Sequence, residues 1–149
     1  MEVLASRLLL HPADPPATLH FYREVLGLPV YREFGDGDQR GVVFFLGGGY
    51  LEVSGRRPPD RPGPTPATRL WLQVRDLRAE LARLQAAGLE PVREARLEPW
   101  GLLEAWIQDP EGLPIVLVEV PADHPLRRDL RPPSGSPGAP THDSEARQE

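Results

Sequence analysis

Apolar and polar positions follow the same order in two stretches of the chain. Residues 6–27 contain Arg-Leu-Leu-Leu near their start, and residues 68–88 contain Arg-Leu-Trp-Leu at the corresponding place. In both stretches an Asp follows, then a segment with apolar residues at helical spacing, then Gly-Leu. An internal repeat of about 60 residues indicates one supersecondary unit used twice, with an apolar face that each copy must bury.

The first copy is predicted to contain a strand, a helix and three further strands. Asp14 before Pro15 is typical of a helix start, because a carboxylate can cap the first turn and proline suits the first helical position. Gly27 is placed where a left-handed residue commonly ends a helix. The expected strands, separated by glycine-rich turns at 35–38 and 47–49, are residues 4–11, 29–34, 41–46 and 50–54.

The second copy repeats this order. Asp76 is the predicted cap of a helix over 77–87, and Gly88 ends it. The expected strands are residues 68–74, 90–96, 102–108 and 114–120. We therefore expect a first module at residues 1–53, a proline-rich connector at 54–67, a second module at 68–120 and a largely disordered tail at 121–149.

Strand alternation predicts two faces of contrasting character. One parity is uniformly apolar and is expected to face the helices: Leu8, Leu10, Leu51, Val53, Leu70, Leu72, Val74, Ile115 and Leu117. The other parity mixes aromatic and polar side chains: Arg7, Leu9, His11, Tyr50, Glu52, Arg69, Trp71, Gln73, Glu104, Trp106, Val116 and Val118. Apolar walls with a few polar groups are typical of a small-molecule pocket, and Trp100 in a Pro-Trp-Gly loop is expected at its mouth.

Composition and charge exclude several kinds of function. A formal net charge of -5 argues against a general affinity for nucleic acid or an anionic membrane. No apolar run reaches the roughly 20 residues of a membrane span, and Met1 is not followed by a signal-like segment, so we expect a cytoplasmic protein. The chain has no cysteine, which excludes disulfides and thiolate chemistry, and no lysine, which excludes a Schiff base.

Three sequence features resemble the vicinal oxygen chelate superfamily, which includes glyoxalase-type lyases, bleomycin-resistance proteins and extradiol dioxygenases. They are Asp14 with Phe21-Tyr22 and Leu26-Gly27-Leu28, the hairpin ending Tyr50-Leu51-Glu52-Val53, and Asp109-Pro110-Glu111-Gly112 before the last strand. The resemblance covers about residues 4–120. It implies an α+β fold, two βαβββ modules forming a cupped mixed sheet around a central cavity, and a homodimer.

The resemblance also implies four metal-ligand positions, which here are Arg7, Glu52, Arg69 and Val116. Glu52 alone can ligate, because a guanidinium has no lone pair to donate and stays protonated. We therefore expect no metal and no cofactor. His11, Glu52 and Glu104 form a conceivable replacement set, with His11 as a simple polar lining residue the preferred interpretation.

Two interpretations of the charged residues remain open. In the first, Arg7 and Arg69 pair with Glu52 and Glu104 inside the cavity. In the second, one arginine stays free to bind a ligand carboxylate or phosphate through two parallel hydrogen bonds.

The predicted function is binding of a small organic molecule, anionic or aromatic, as a sequestering or resistance protein or as a metal-independent lyase or isomerase. In the enzyme, Glu52 is the candidate base. The alternatives are a metal-dependent lyase or dioxygenase with a rearranged site, and a structural or regulatory dimer with a vestigial pocket. The predicted ligand-binding residues are Arg7, His11, Tyr50, Glu52, Arg69, Trp71, Gln73, Trp100, Glu104 and Trp106.

Overall fold

The computed structural model describes residues 4–55 and 67–127. Most of the predicted connector and most of the predicted tail, residues 56–66 and 128–149, lie outside the described residues. The described part forms two halves with the same order of elements, as the repeat predicts.

Each half contains one helical segment and four strands. The first half consists of β1 (Arg7–Leu10), α1 (Pro15–His20), β2 (Val30–Phe34), β3 (Gly41–Leu46) and β4 (Gly49–Ser54). The second half consists of β5 (Leu70–Val74), α2 (Leu77–Ala86), β6 (Arg93–Leu97), β7 (Leu103–Gln108) and β8 (Pro114–Glu119). Short 3₁₀ segments lie at Gly37–Gln39 and Pro125–Arg127.

Both helices begin at the predicted caps. The Asp14 carboxylate accepts a hydrogen bond from the backbone N–H of Ala17 at 3.0 Å, and Asp76 accepts one from Ala79 at 2.9 Å. The first helix is not α-helical to its end, since a π-helical turn at Phe21–Val25 follows α1. Apolar spacing over five residues does not distinguish a π turn from an α turn, so the sequence predicts only a helix there.

The two halves form two four-stranded sheets with the same strand order, β1-β4-β3-β2 and β5-β8-β7-β6. The first strand of each half runs parallel to the last, and the remaining neighbours are antiparallel. Leu9 pairs with Glu52 in the first sheet, and Trp71 pairs with Val116 in the second. This register places the side chains that were predicted to mix aromatic and polar groups on one common face of each sheet.

The helix-side faces of the two sheets contribute to one hydrophobic core. Its members are the uniformly apolar set that alternation predicts, together with side chains from both helical segments. Leu51, Val53 and Ile115 are completely buried in it. The fold class is thereby confirmed as α+β, with two βαβββ modules and open sheets.

Polar contacts join the modules beside this core. The Tyr22 hydroxyl donates to the Asp109 carboxylate at 3.0 Å, and the backbone N–H of Asp14 donates to Glu111 at 2.9 Å. Arg83 on α2 donates to the carbonyl oxygens of residues 25 and 26 at the end of the first helical segment. The helical segments are therefore tied to the opposite half by hydrogen bonds as well as by apolar packing.

Candidate functional site

The faces of the two sheets that point away from the shared core carry the predicted site residues. The first open face is formed by β1–β4 and includes Arg7, Leu9, Tyr31, Phe45, Tyr50 and Glu52. The second open face is formed by β5–β8 and includes Arg69, Trp71, Gln73, Arg93, Glu104, Trp106, Val116 and Val118. Leu9 and Trp71 are 54% and 47% exposed, so solvent reaches both faces in the single chain.

On the first open face, Arg7 and Glu52 form the predicted ion pair. The Arg7 Nη1 atom lies 2.7 Å from Glu52 Oε2, and the Arg7 guanidinium also lies over the Tyr50 ring, 5.8 Å from its centroid. The carboxylate proposed as a catalytic base is therefore already engaged by a permanent cation.

An aromatic cluster that the sequence prediction missed lies beside this pair. Tyr31, Phe45 and Tyr50 are in mutual contact, with ring centroids 4.8–5.8 Å apart. Tyr31 and Phe45 are 48% and 43% exposed. Phe45 could have been found by its pairing with Tyr50, whereas Tyr31 lies at a register shift between Val30 and Arg32 that breaks simple alternation.

The second open face contains an indole flanked by two guanidiniums. Trp71, Val116, Trp106 and Arg93 form one row across β5, β8, β7 and β6. Arg69 approaches Trp106 from the β5 side and Arg93 approaches it from the β6 side, each with its guanidinium carbon 4.7 Å from the ring centroid. Such contacts stabilise a cation without neutralising its charge.

The predicted pairing of Arg69 with Glu104 is wrong. Glu104 is only 6% exposed, and it accepts a hydrogen bond from Trp100 Nε1 at 2.8 Å. Its other oxygen lies 3.5 Å from Arg93 Nη2. Arg93 reaches Glu104 because β6 is the direct neighbour of β7. Arg69 lies toward the other end of the sheet, because Glu104 pairs with Val118, which is level with Gln73, four positions beyond Arg69.

Glu98 is a second buried carboxylate, and the sequence prediction did not include it. It accepts hydrogen bonds from Arg93 and from Arg96, the latter at 2.9 Å. The hydrogen bond from Arg96, followed by that from Arg93, lowers the pKa of Glu98 below its ordinary value against the opposing effect of burial. Glu98 therefore fixes the position of Arg93 beside Trp106.

Part of the second open face is covered by its own chain. Leu102, Val116, Val118 and Val120 form a small second core, and Trp106 packs against it. The ring of His124 lies 3.0 Å from the Trp100 carbonyl oxygen and fastens the loop that Trp100 occupies. Trp100 is 58% exposed at the edge of this covered region. The exposed part of the face is thus the β5 side, with Arg69, Trp71 and Gln73.

The donor set does not fit the divalent metal that the family resemblance implies. Of the four corresponding positions, Arg7 and Arg69 cannot ligate, Val116 carries no donor, and Glu52 is paired with Arg7. His11 lies just after β1 and is half-buried. The replacement set is divided between the sheets, and residues 4–55 and 67–127 contain no group of three or more His, Asp or Glu side chains that could hold a metal ion.

A cavity of about 560 Å³ lies outside both open faces. It is bordered by Pro12, Pro15 and Leu19 near α1 and by Arg23 and Arg40. Both guanidiniums form ion pairs with Glu33, and the hydrogen bond from Arg40 is the largest cause of a lowered Glu33 pKa. The cavity therefore does not coincide with the predicted site residues.

Comparison with known proteins identifies the superfamily to which the chain belongs. The sequence pattern of the Glyoxalase/Bleomycin resistance protein/Dioxygenase superfamily matches residues 6–117, and the chain belongs to this superfamily. No curated protein matches the chain by sequence. Within the part of the chain that the structure describes, no helix is long and apolar enough to cross a membrane.

Several solved structures share the fold at low sequence identity. TnmS3, an antibiotic binding protein from Streptomyces sp. CB03234, superposes with a TM-score of 0.66 at 23% identity, covering 80% of this chain and 98% of that chain. A superfamily member from Sphaerobacter thermophilus DSM 20745 gives a TM-score of 0.60 at 23% identity, covering 79% and 98%. Lactoylglutathione lyase from Agrobacterium tumefaciens gives 0.57 at 22% identity, covering 80% and 94%. These likenesses show the fold.

Proposed function

We propose that the protein binds a small organic molecule at its open sheet faces without a coordinated metal, and that it acts by sequestering this molecule, as a resistance protein does. The observation that carries the proposal is the contrast between the two sides of each sheet. The core side is built around one apolar cluster, whereas the open faces combine exposed aromatic rings with arginine and glutamate. Aromatic walls with a few charged groups supply both affinity and orientation for an organic guest.

Binding is favoured over catalysis by the state of Glu52. A general base needs an available lone pair on an atom within reach of the substrate proton. The Glu52 Oε2 atom lies 2.7 Å from Arg7 Nη1, so this oxygen is already engaged in an ion pair. The antibiotic-binding fold relative TnmS3 is in keeping with a binding role for this scaffold.

We further propose that the working form is a homodimer. Each open face points away from the shared core and exposes large apolar side chains, among them Leu9, Tyr31 and Trp71. A second copy of the chain that covers these faces would remove apolar surface from water and enclose a guest between two sheets.

Calorimetric titration with a panel of neutral and charged planar aromatic compounds tests the binding role. We expect saturable binding of at least one compound, and loss of this binding in Trp71→Ala. Trp100→Ala is the matched control, because it removes the same side chain from the loop beside the sheet rather than from the sheet face, and it should weaken binding less. A panel without any saturable binding would contradict the proposal.

Sedimentation analysis tests the dimer. We expect a mass of twice that of one chain. We expect Leu9→Glu to yield monomers, because it places a charge on the open face that the second copy would cover. Leu4 is 89% exposed outside the sheets, so Leu4→Glu is the control and should remain dimeric. A wild-type protein that sediments as a monomer at tens of micromolar would contradict this part of the proposal.

A further inference from the structure

Arg7 and Arg69 occupy equivalent positions in the two modules but have different partners. Arg7 is neutralised by Glu52 at 2.7 Å. Arg69 lies over the Trp106 ring, and among the described residues no carboxylate forms an ion pair with it. Both copies of the repeat thus have a guanidinium at this position, but only in the first copy is it paired with a carboxylate.

The charges around Arg69 leave a positive excess. Three guanidiniums, those of Arg69, Arg93 and Arg96, face two carboxylates, those of Glu98 and Glu104. One positive charge remains after pairing, and it resides on Arg69. A single excess charge is matched by a monoanion, so a carboxylate fits better than a phosphate dianion.

The hydrogen-bonding groups show the same imbalance. Glu98 accepts from Arg93 and Arg96, and Glu104 accepts from Trp100, so the nearby carboxylates are engaged. The Trp106 Nε1 and Arg93 Nε atoms are buried and have no hydrogen-bond acceptor in the described structure, and Arg93 Nη2 lies 3.5 Å from Glu104. Because the nearby carboxylates are engaged by other donors, the complement of the exposed Arg69 guanidinium, which can only donate, is a group that accepts hydrogen bonds.

The surroundings of Arg69 favour a ligand with a flat apolar body. Trp71 follows it by two positions at the start of β5, on the same face, and its side chain is 47% exposed. Because the small second core covers the β7 side of the face, the exposed surface next to Arg69 is largely this indole. An aromatic ring can stack on Trp71 while an attached charged group reaches Arg69.

We propose that the ligand is a planar aromatic monocarboxylate, that Arg69 receives its carboxylate, and that Trp71 contacts its ring. This inference rests on the proposed binding function and specifies the ligand class for the same site. Arg93, fixed by Glu98, is a positioning residue that supports Trp106 from the side opposite to Arg69. The guanidinium fork of Arg69 offers the carboxylate two parallel N–H donors.

The test compares 2-naphthoate with its neutral amide, 2-naphthamide, by calorimetry on the full-length protein. We expect 2-naphthoate to bind about tenfold or more tightly than the amide, with a preference that falls as salt rises. Arg69→Gln should abolish the preference, and Arg69→Lys should retain part of it, because it keeps the charge and loses the fork. Arg78→Gln, on the exposed surface of α2, is the charge-matched control and should leave the preference intact.

Each negative outcome of these titrations would contradict a different part of the proposal. Equal binding of the two compounds by the wild type, or a preference retained in a folded Arg69→Gln, would overturn the carboxylate assignment and leave the binding function standing. A preference lost in Arg7→Gln but not in Arg69→Gln would overturn the choice of arginine. If neither compound binds and the wider aromatic panel also fails, both this inference and the proposed function are overturned. Thermal unfolding of each variant confirms that it is folded.

Discussion

The Tyr22 hydroxyl and the Asp109 carboxylate, 87 positions apart in the chain, meet at 3.0 Å and join the two modules. Tyr22 is completely buried and Asp109 is 6% exposed. Asp109 also accepts hydrogen bonds from the backbone N–H groups of Glu111 and Leu113 at 2.9 and 2.8 Å. Burial, followed by the charge of Asp109, raises the pKa of Tyr22 above its ordinary value, so Tyr22 stays a donor.

Tyr22→Phe should destabilise the protein because it leaves a buried carboxylate without one of its donors. We expect a loss of about 1 to 2 kcal/mol in the free energy of unfolding. Urea denaturation measures it. Tyr31→Phe is the control, because Tyr31 is 48% exposed, and it should change stability by less than about 0.5 kcal/mol. Equal stabilities of the Tyr22→Phe and wild-type proteins would show that the contact contributes nothing to folding.

Protonation of the Asp109 carboxylate in mild acid should stabilise the folded protein. Burial raises the pKa of Asp109 in the folded protein above the ordinary value of about 3.9. The folded state therefore binds the proton more readily than the unfolded state does. Its contribution to stability rises as the pH falls through the folded pKa, and levels off below the unfolded pKa. Asp109→Asn should lack this rise, which stability curves of the two proteins between pH 7 and about 4 would reveal.

Glu98 should have the opposite pH dependence. Hydrogen bonds from Arg96 and Arg93 lower its pKa in the folded state. Its contribution to stability is present above the unfolded value of about 4.3 and is lost as the pH falls through the folded pKa. Glu98→Gln should therefore reduce stability at pH 7 and weaken the acid-induced loss below about pH 4. A variant that retains the full wild-type acid dependence would exclude Glu98 as its source.

Gly101 and Gly112 form a matched pair for testing the loop that carries Trp100. Their backbone φ angles are 86° and 85°, but a Cβ atom at Gly101 would lie 3.1 Å from the His124 ring, whereas at Gly112 nothing lies within 4 Å. Alanine at either position incurs left-handed strain of about 1 kcal/mol.

We expect Gly101→Ala to lower the melting temperature more than Gly112→Ala, because the His124 ring must also move. Adding His124→Ala to Gly101→Ala should remove this additional effect in a double-mutant cycle. Equal effects of the two single alanine substitutions would contradict the close packing of the His124 ring on Gly101.

The sequence predicts the modules well because each is built from local patterns. Alternation within strands depends only on neighbouring residues, and it correctly assigns Leu51, Leu70 and Ile115 to the core. The caps at Asp14 and Asp76 are local for the same reason. The resemblance to the superfamily is confirmed by the match over residues 6–117.

Side-chain partners across a sheet are less accessible to prediction. Glu104 contacts Arg93 rather than Arg69 because of strand order and because Glu104 is level with Gln73 rather than with Arg69. A register shift between Arg93 and Arg96 also alters which β6 side chains face β7. The same kind of irregularity in β2 concealed Tyr31. The roles assigned to the ligand-binding residues remain predictions, which the experiments proposed for Arg69 and Trp71 address.

The core common to both halves affects how the protein is made. During synthesis the first module leaves the ribosome before the second exists, when the cluster that contains Phe44, Leu51 and Val53 still lacks its members from the second module. Those missing members include Ile115 and Leu117, near the end of the second module. The nascent N-terminal half therefore exposes apolar surface that the complete chain buries, and we expect a stop codon before β8 to leave a product prone to aggregation.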